Sequence, residues 1–231
     1  MTDIPIMFSA PMVQAEIDDL KFMSRRLAKR LVKTYPNGRG NPPTVLVERD
    51  APWTRVKVGD RLWVREEWRV SRKWDAVKPA DLPPRTMTVA FDAGGSIANQ
   101  PAGCWAPDNG YPARGVRPEW LGKRRASMHL PRWASRLTLI VTSVKTEPLH
   151  AISPDDVYAE GVAAGMMDCG ERMFICPVPG RDNEQGTATW AFSELWKHLH
   201  GPDSWDENPL VVAMGFRVIK ANIDAPEAQA A

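Results

Sequence analysis

The sequence predicts an α+β fold: a small, partly closed mixed β-barrel of about six strands, with short helices packed over its ends and a long loop insertion. Three observations lead there. Several segments alternate apolar and polar residues with the two-residue period of strands, whereas few show helical spacing. The strands do not alternate regularly with helices, which argues against a doubly wound parallel sheet. Finally, 21 prolines in 231 residues cut the chain into short elements.

Taken in order, "IPIMFSAPM" (Ile4–Met12) is a short apolar strand that breaks at Ser-Ala-Pro. Pro11 then sits near the first helical position, and Val13 to about Leu20 reads as helix. "YPNGRGNPP" (Tyr35–Pro43) is a loop and "TVLVER" (Thr44–Arg49) a strand. In "VGDRLWVREEWRV" (Val58–Val70) a Gly-Asp turn precedes a strand on which Leu62, Val64 and Glu66 alternate with Trp63, Arg65 and Glu67. "RTMTVAF" (Arg85–Phe91) is a further strand, and residues 92–120, rich in Gly, Pro and Asn, form the insertion. "SRLTLIVTSVKTEPL" (Ser135–Leu149) is the clearest strand. "SPDDVYAEGV" (Ser153–Val162) carries Ser at an N-cap, Pro at the first helical position and acids in the first turn, so it reads as a short capped helix ending at Gly161. "ATWAFSELWKHLH" (Ala188–His200) lines Phe192, Leu195, Trp196 and Leu199 along one helical face, and "PLVVAMGFRVI" (Pro209–Ile219) closes the sheet. These elements read as one domain over residues 1–222, with residues 223–231 as a flexible tail.

Composition excludes several classes. Net charge is +2, so any nucleic-acid contact comes from local clustering rather than bulk charge. Cys104, Cys169 and Cys176 match no zinc spacing and no disulfide framework. His129, His150, His198 and His200 form no metal-binding pattern, so neither a metal nor a cofactor is expected. No run approaches the roughly 20 apolar residues of a membrane span, and no signal-peptide pattern opens the chain. A soluble cytoplasmic protein is expected, without membrane association; composition does not set an oligomeric state.

The chemistry-bearing stretch is "LKFMSRRLAKR" (Leu20–Arg30), inside a window from Leu20 to Val47 that lacks Asp and Glu. On a helical wheel Leu20, Met23, Leu27 and Leu31 share one face and Lys21, Arg25, Arg26, Lys29, Arg30 and Lys33 spread over the opposite arc. An amphipathic basic helix suits phosphates, and so does a merely solvated face. "GKRRASMHLPRW" (Gly122–Trp133) adds Lys123, Arg124, Arg125 and Arg132 beside Trp133, a phosphate strip with a base-stacking platform. Arg65 and Glu66, a charged pair within an apolar strand, mark a pocket or a buried ion pair. Trp63 and Trp68 fall on opposite strand faces, so one of them is expected at a cleft.

Five blocks in order resemble the ASCH domains of the PUA-like superfamily, in particular phage and prophage ASCH-like proteins. They are "EIDDLKFMSRR" (Glu16–Arg26), "VGDRLWVREEW" (Val58–Trp68), "SMHLPRWASRLTLIVTSV" (Ser127–Val144), "ISPDDVYAEGV" (Ile152–Val162) and "FSELWKHLHGPDSWDENPLVVAMGF" (Phe192–Phe216). The family's opening motif runs roughly G-x-K-x-x-T-x-R. Asp19 stands where it has glycine, and Ser24 where it has threonine. The resemblance implies a small PUA-like β-barrel and a ligand that is a nucleoside, a modified base, or RNA or DNA carrying one.

It also implies two activities. Some small bacterial members are amidohydrolases that remove the acyl group from the exocyclic amine of acetylcytidine, with a Lys, a Thr and a Glu as the active group. By motif position these match Lys21, Ser24 and Glu160. An alcohol becomes a nucleophile once a base takes its proton, and a lysine acts as that base when burial or neighbouring cations lower its pKa. On a helix Lys21 and Ser24 would share a face at i, i+3. The other expectation is binding without turnover, with Arg25, Arg26, Arg65, Glu66, Trp68, Arg132 and Trp133 gripping phosphate or base. A third is contact with a host protein through the insertion.

Overall fold

A computed structural model describes residues 1–34, 45–97, 119–166 and 172–230. Its strands, in chain order, are β1 (Asp3–Met7), β2 (Met23–Leu27), β3 (Lys29–Thr34), β4 (Val45–Asp50), β5 (Arg61–Arg65), β6 (Trp68–Arg69), β7 (Val89–Phe91), β8 (Ser96–Ile97), β9 (Thr138–Pro148), β10 (Ala164–Met166), β11 (Arg172–Ile175), β12 (Gln185–Gly186) and β13 (Leu210–Ile219). The helices are α1 (Ala10–Ile17), α2 (Pro154–Ala159), α3 (Ala188–His200) and α4 (Pro226–Gln229). The fold is α+β. Its main sheet has five strands in the order β1-β5-β9-β13-β2. β1 and β2 are the edges of that sheet, so among the described residues it does not close into a barrel.

The chain divides into two compact units. The first comprises Met1–Phe22, Gly59–Thr142 and Phe216–Ala231, and the second Met23–Val58 and Ser143–Gly215. The composition shows no break because each unit is assembled from separated segments.

In the first unit β1 runs parallel to β5, with Ile4 opposite Leu62 and Ile6 opposite Val64. β5 is antiparallel to the start of β9. Ile6 and Leu62 are fully buried and Val64 nearly so, which fixes the register, since a one-residue slip would turn them to the other face. A small sheet, β6-β7-β8, carries a separate core in which Trp68, Val70, Val89, Phe91 and Leu130 pack together. The C-terminal residues join this unit instead of fraying. Ile223, Ala225 and Ala228 are buried, and the Arg61 guanidinium donates to the carbonyls of Ile223 (3.2 Å) and Ala228 (3.3 Å).

In the second unit β2 pairs antiparallel with β13, setting Ser24 opposite Met214, Arg25 opposite Ala213 and Arg26 opposite Val212. β3 and β4 pair antiparallel. Its core joins α2 and α3 through Val157, Phe192 and Trp196, together with Leu149, Phe174 and Val211. α2 starts where the sequence predicts. Ser153 Oγ accepts from the Asp156 amide (3.2 Å) and Asp156 Oδ2 accepts from the Ser153 amide (3.5 Å), a capping box with Pro154 in the first turn. Gly161, at φ +90°, ends it in a conformation that costs glycine little.

The expected basic helix is absent. α1 stops at Ile17, and the amides of Leu20 (2.8 Å) and Lys21 (3.1 Å) both donate to the Ala15 carbonyl, folding the chain back. Asp19 makes that turn at φ 55°. The resemblance places a glycine at this position, and aspartate is among the residues that tolerate the left-handed region. Beyond the turn the cations lie on β2 and β3, so the i, i+3 relation of Lys21 and Ser24 is lost. Helical spacing of four apolar residues was outweighed by pairing with β13, far along the chain. Most of the 92–120 insertion, and the whole Tyr35–Pro43 loop, lie outside the described residues.

Candidate functional site

Lys21 lies in the first segment of the first unit, which ends at Phe22; Ser24 and Glu160 belong to the second. All three are buried: Lys21 is 2% exposed, Ser24 4% and Glu160 8%. The Lys21 ammonium lies 6.0 Å from the centroid of Phe8. Within β2 successive side chains alternate between faces, so Ser24 and Arg26 share one face and Arg25 takes the other. Glu160 accepts from Arg25.

Arg25 is the centre of a buried ionic cluster. Its guanidinium donates to Asp156 Oδ2 (2.7 Å), Glu147 Oε1 (2.9 Å) and Glu160 Oε1 (3.3 Å), over the ring of Phe192 at 5.8 Å. Lys145 adds a second cation beside Asp156 and Glu147. Burial pushes the Asp156 carboxyl up, but hydrogen bonds and charge from Lys145 and Arg25 outweigh it and hold the group below the usual aspartate value. An arginine shared by three carboxylates is committed to the fold.

Arg26 is placed differently. It lines a cleft of about 560 Å³ with Lys29, Arg30, Glu48, Trp53 and His200. Its guanidinium lies 5.7 Å from the Trp53 ring centroid, in cation–π range. The His200 ring stands 4.1 Å from that of Trp196 at α3's last turns. Burial first, and then the charge of Arg26, push the His200 pKa below the usual histidine value, leaving a neutral imidazole at pH 7. Lys29 Nζ donates to Glu48 Oε2 at 3.0 Å, an exposed pair of small energetic weight. Three cations thus face one carboxylate around two aromatic rings.

The remaining expected binding residues lie in the first unit. Glu66 is a buried ion-pair member. Arg136 grips it at both oxygens, Nε to Oε1 and Nη2 to Oε2, each at 2.7 Å, with side chains 0% and 1% exposed. Burial raises the Glu66 pKa and the Arg136 charge pulls it back. Trp68 is fully buried in the core of this unit. Arg132 is held by Asp224 (2.6 Å) and Asp3 (2.6 Å), and Trp133 packs against the same core as Trp68. Arg65 is half-buried over the Trp63 ring at 4.4 Å, and burial lowers its pKa.

Sequence reasoning missed Trp53, His200 and Arg136. Trp53 sits in a Pro-led turn (Pro52–Arg55) just after β4, and a lone Trp beside a basic hairpin is the signal that would have found it. His200 and Arg136 reach their partners through the fold alone. Among the described residues no cluster of His, Cys, Asp or Glu could hold a metal, and no helix is long and apolar enough to cross a membrane. No family model, curated protein or solved structure matches the chain.

Proposed function

We propose that the second unit binds single-stranded nucleic acid, or a nucleotide carrying a modified base, through the cleft around Arg26. The observation that carries this reading is the gathering of Arg26, Lys29 and Arg30 around Trp53 and His200 in one cleft. Its volume lies within the roughly 300–1,000 Å³ usual for small-ligand sites. Cations attract the phosphate backbone irrespective of sequence. The indole face of Trp53 and a neutral imidazole offer surfaces on which a base stacks, worth about 1–3 kcal/mol per base. The likeness of five ordered blocks to ASCH domains supports the same ligand class, and with it a PUA-like fold of phage type.

The test is equilibrium binding of short single-stranded RNA and DNA to wild-type protein and Trp53→Ala. The variant is expected to bind about tenfold or more weakly, from the loss of one stacked base. Equal affinity for both proteins would remove Trp53, and with it the stacking platform, from the reading.

A second reading is removal of the acyl group from an acetylcytidine-like base by Lys21, Ser24 and Glu160. It draws support from burial, because a solvated basic face would leave Lys21 and Ser24 in water, and both are buried. Under this reading the protein releases acetate from acetylcytidine, and Ser24→Ala and Lys21→Ala each abolish the release. No turnover by folded wild type on the nucleoside or its deoxy form would sink free-nucleoside hydrolysis.

A further inference from the structure

The first unit contains a second basic cavity that the reading above does not use. It has a volume of about 310 Å³ and is lined by Asp75, Lys78, Lys123, Arg124, Arg125 and His129, among others. Four cations therefore face one carboxylate. They are not equivalent. Arg124 is paired with Glu67 at 2.9 Å and lies 3.7 Å from Asp92. Lys78, Lys123 and Arg125 have no ion-pair partner among the described residues.

Arg125 is the informative member. It is 5% exposed, so its charge is nearly withdrawn from water. Two backbone carbonyls fix its guanidinium, Val77 O to Nη1 (3.0 Å) and Trp74 O to Nη2 (2.7 Å), and the Trp68 ring lies 5.3 Å away. Its Nε is buried without a hydrogen-bond partner. A buried cation with an unused donor is costly where its opposing charge, the Asp75 carboxylate, is shared with other cations of the cavity, and an arginine stays protonated.

The loop carrying these cations is also fixed. Asp75 Oδ1 accepts from the Lys123 amide at 2.9 Å. A Cβ at Gly122 would run into the Asp75 carboxylate and come within 2.7 Å of the Val70 carbonyl, so glycine permits that close approach. Asp75 is thus engaged in holding the loop.

We infer that this cavity binds a phosphate group, presented by a free nucleotide or by a polynucleotide backbone. The phosphate adds counter-charge beyond the single Asp75 carboxylate that Arg125, Lys78 and Lys123 have around this cavity, and a guanidinium held rigidly is suited to its oxygens. The inference does not depend on the cleft around Arg26.

Pyrophosphate is the probe. The full chain and its Lys78→Ala/Lys123→Ala variant are titrated while the Arg125 Nε–Hε resonance and the Tm are followed. Both lysines are exposed, so the variant keeps the fold, and removing like charges beside Arg125 leaves its unliganded Tm unchanged or higher. Pyrophosphate is expected to shift the Arg125 resonance, to raise the wild-type Tm by linkage, and to bind the variant at least tenfold more weakly. Equal affinity for the two proteins, or no binding by wild type, overturns the inference. A nucleoside diphosphate and a 5′-phosphorylated oligonucleotide then separate the sources. Tighter binding of the first assigns a free nucleotide, and tighter binding of the second assigns a backbone; either outcome upholds the cavity as a phosphate site.

Discussion

Arg25→Ala is expected to lower stability by about 3–5 kcal/mol at pH 7, because removing one partner of a buried ionic cluster strands the other charges. Here it takes from Glu147, Asp156 and Glu160 the cation they share, while Lys145 stays beside Glu147 and Asp156. The deficit depends on pH with a definite sign. The folded pKa of Asp156 lies below its unfolded value, so its contribution is present above the unfolded value of about 3.9 and is lost as pH falls through the folded one. Without Arg25 that carboxyl titrates higher. Urea unfolding of wild type and variant should therefore show the largest gap near neutrality, narrowing below about pH 4 as the carboxylates protonate. A gap that stays constant from neutral to acid pH, or one below about 1 kcal/mol, would show that the cluster behaves as an ordinary surface network.

Arg136→Ala should cost a similar amount, about 3–5 kcal/mol, by leaving Glu66 buried without its bidentate partner. Arg136 also covers the Phe91 ring at 4.2 Å and donates to the Gly94 carbonyl at 2.7 Å, so packing is lost with the charge. Replacing both partners with apolar residues, Glu66→Leu/Arg136→Met, is expected to recover most of the loss, since a buried pair and a well-packed apolar pair are often of equal stability. The raised folded pKa of Glu66 adds a sign. Its stability contribution is lost as pH rises through that pKa, so Arg136→Ala should recover on mild acidification. If the double variant is as unstable as the single one, packing and not stranded charge dominates at this site.

Legibility in the sequence followed locality. α3, β13 and most of β9 appear within a few residues of their expected bounds, because periodicity and capping are read within a dozen positions. The cap of α2 is of the same kind: Ser153, Pro154 and Asp156 are neighbours, and the hydrogen bonds stay among them. The basic stretch after Leu20 failed because its apolar residues fall at helical spacing while its structure is set by β13, almost two hundred positions away in the chain. The packed end failed because Ile223, Ala225 and Ala228 are few and small, and the arginine that holds them is Arg61.

The candidate site divides the same way. Arg26 was visible as one cation among several, but nothing local distinguished it from Arg25. Strand alternation sends one to a cleft beside Trp53 and the other into a carboxylate cluster. Glu66 was read as a pocket residue or an ion-pair member, and a partner 70 positions away decides for the second.

The central claim is that Arg26 and Arg30 meet phosphates in the cleft of the second unit. Salt-dependent fluorescence anisotropy with a short single-stranded oligonucleotide tests it directly. Three phosphate contacts on a single strand give a slope of log affinity against log salt of about −2. Arg26→Ala/Arg30→Ala should flatten that slope by about 1.4 while weakening binding at low salt. Binding with the same slope in wild type and double variant, or no binding by folded wild type at low salt, would contradict the account.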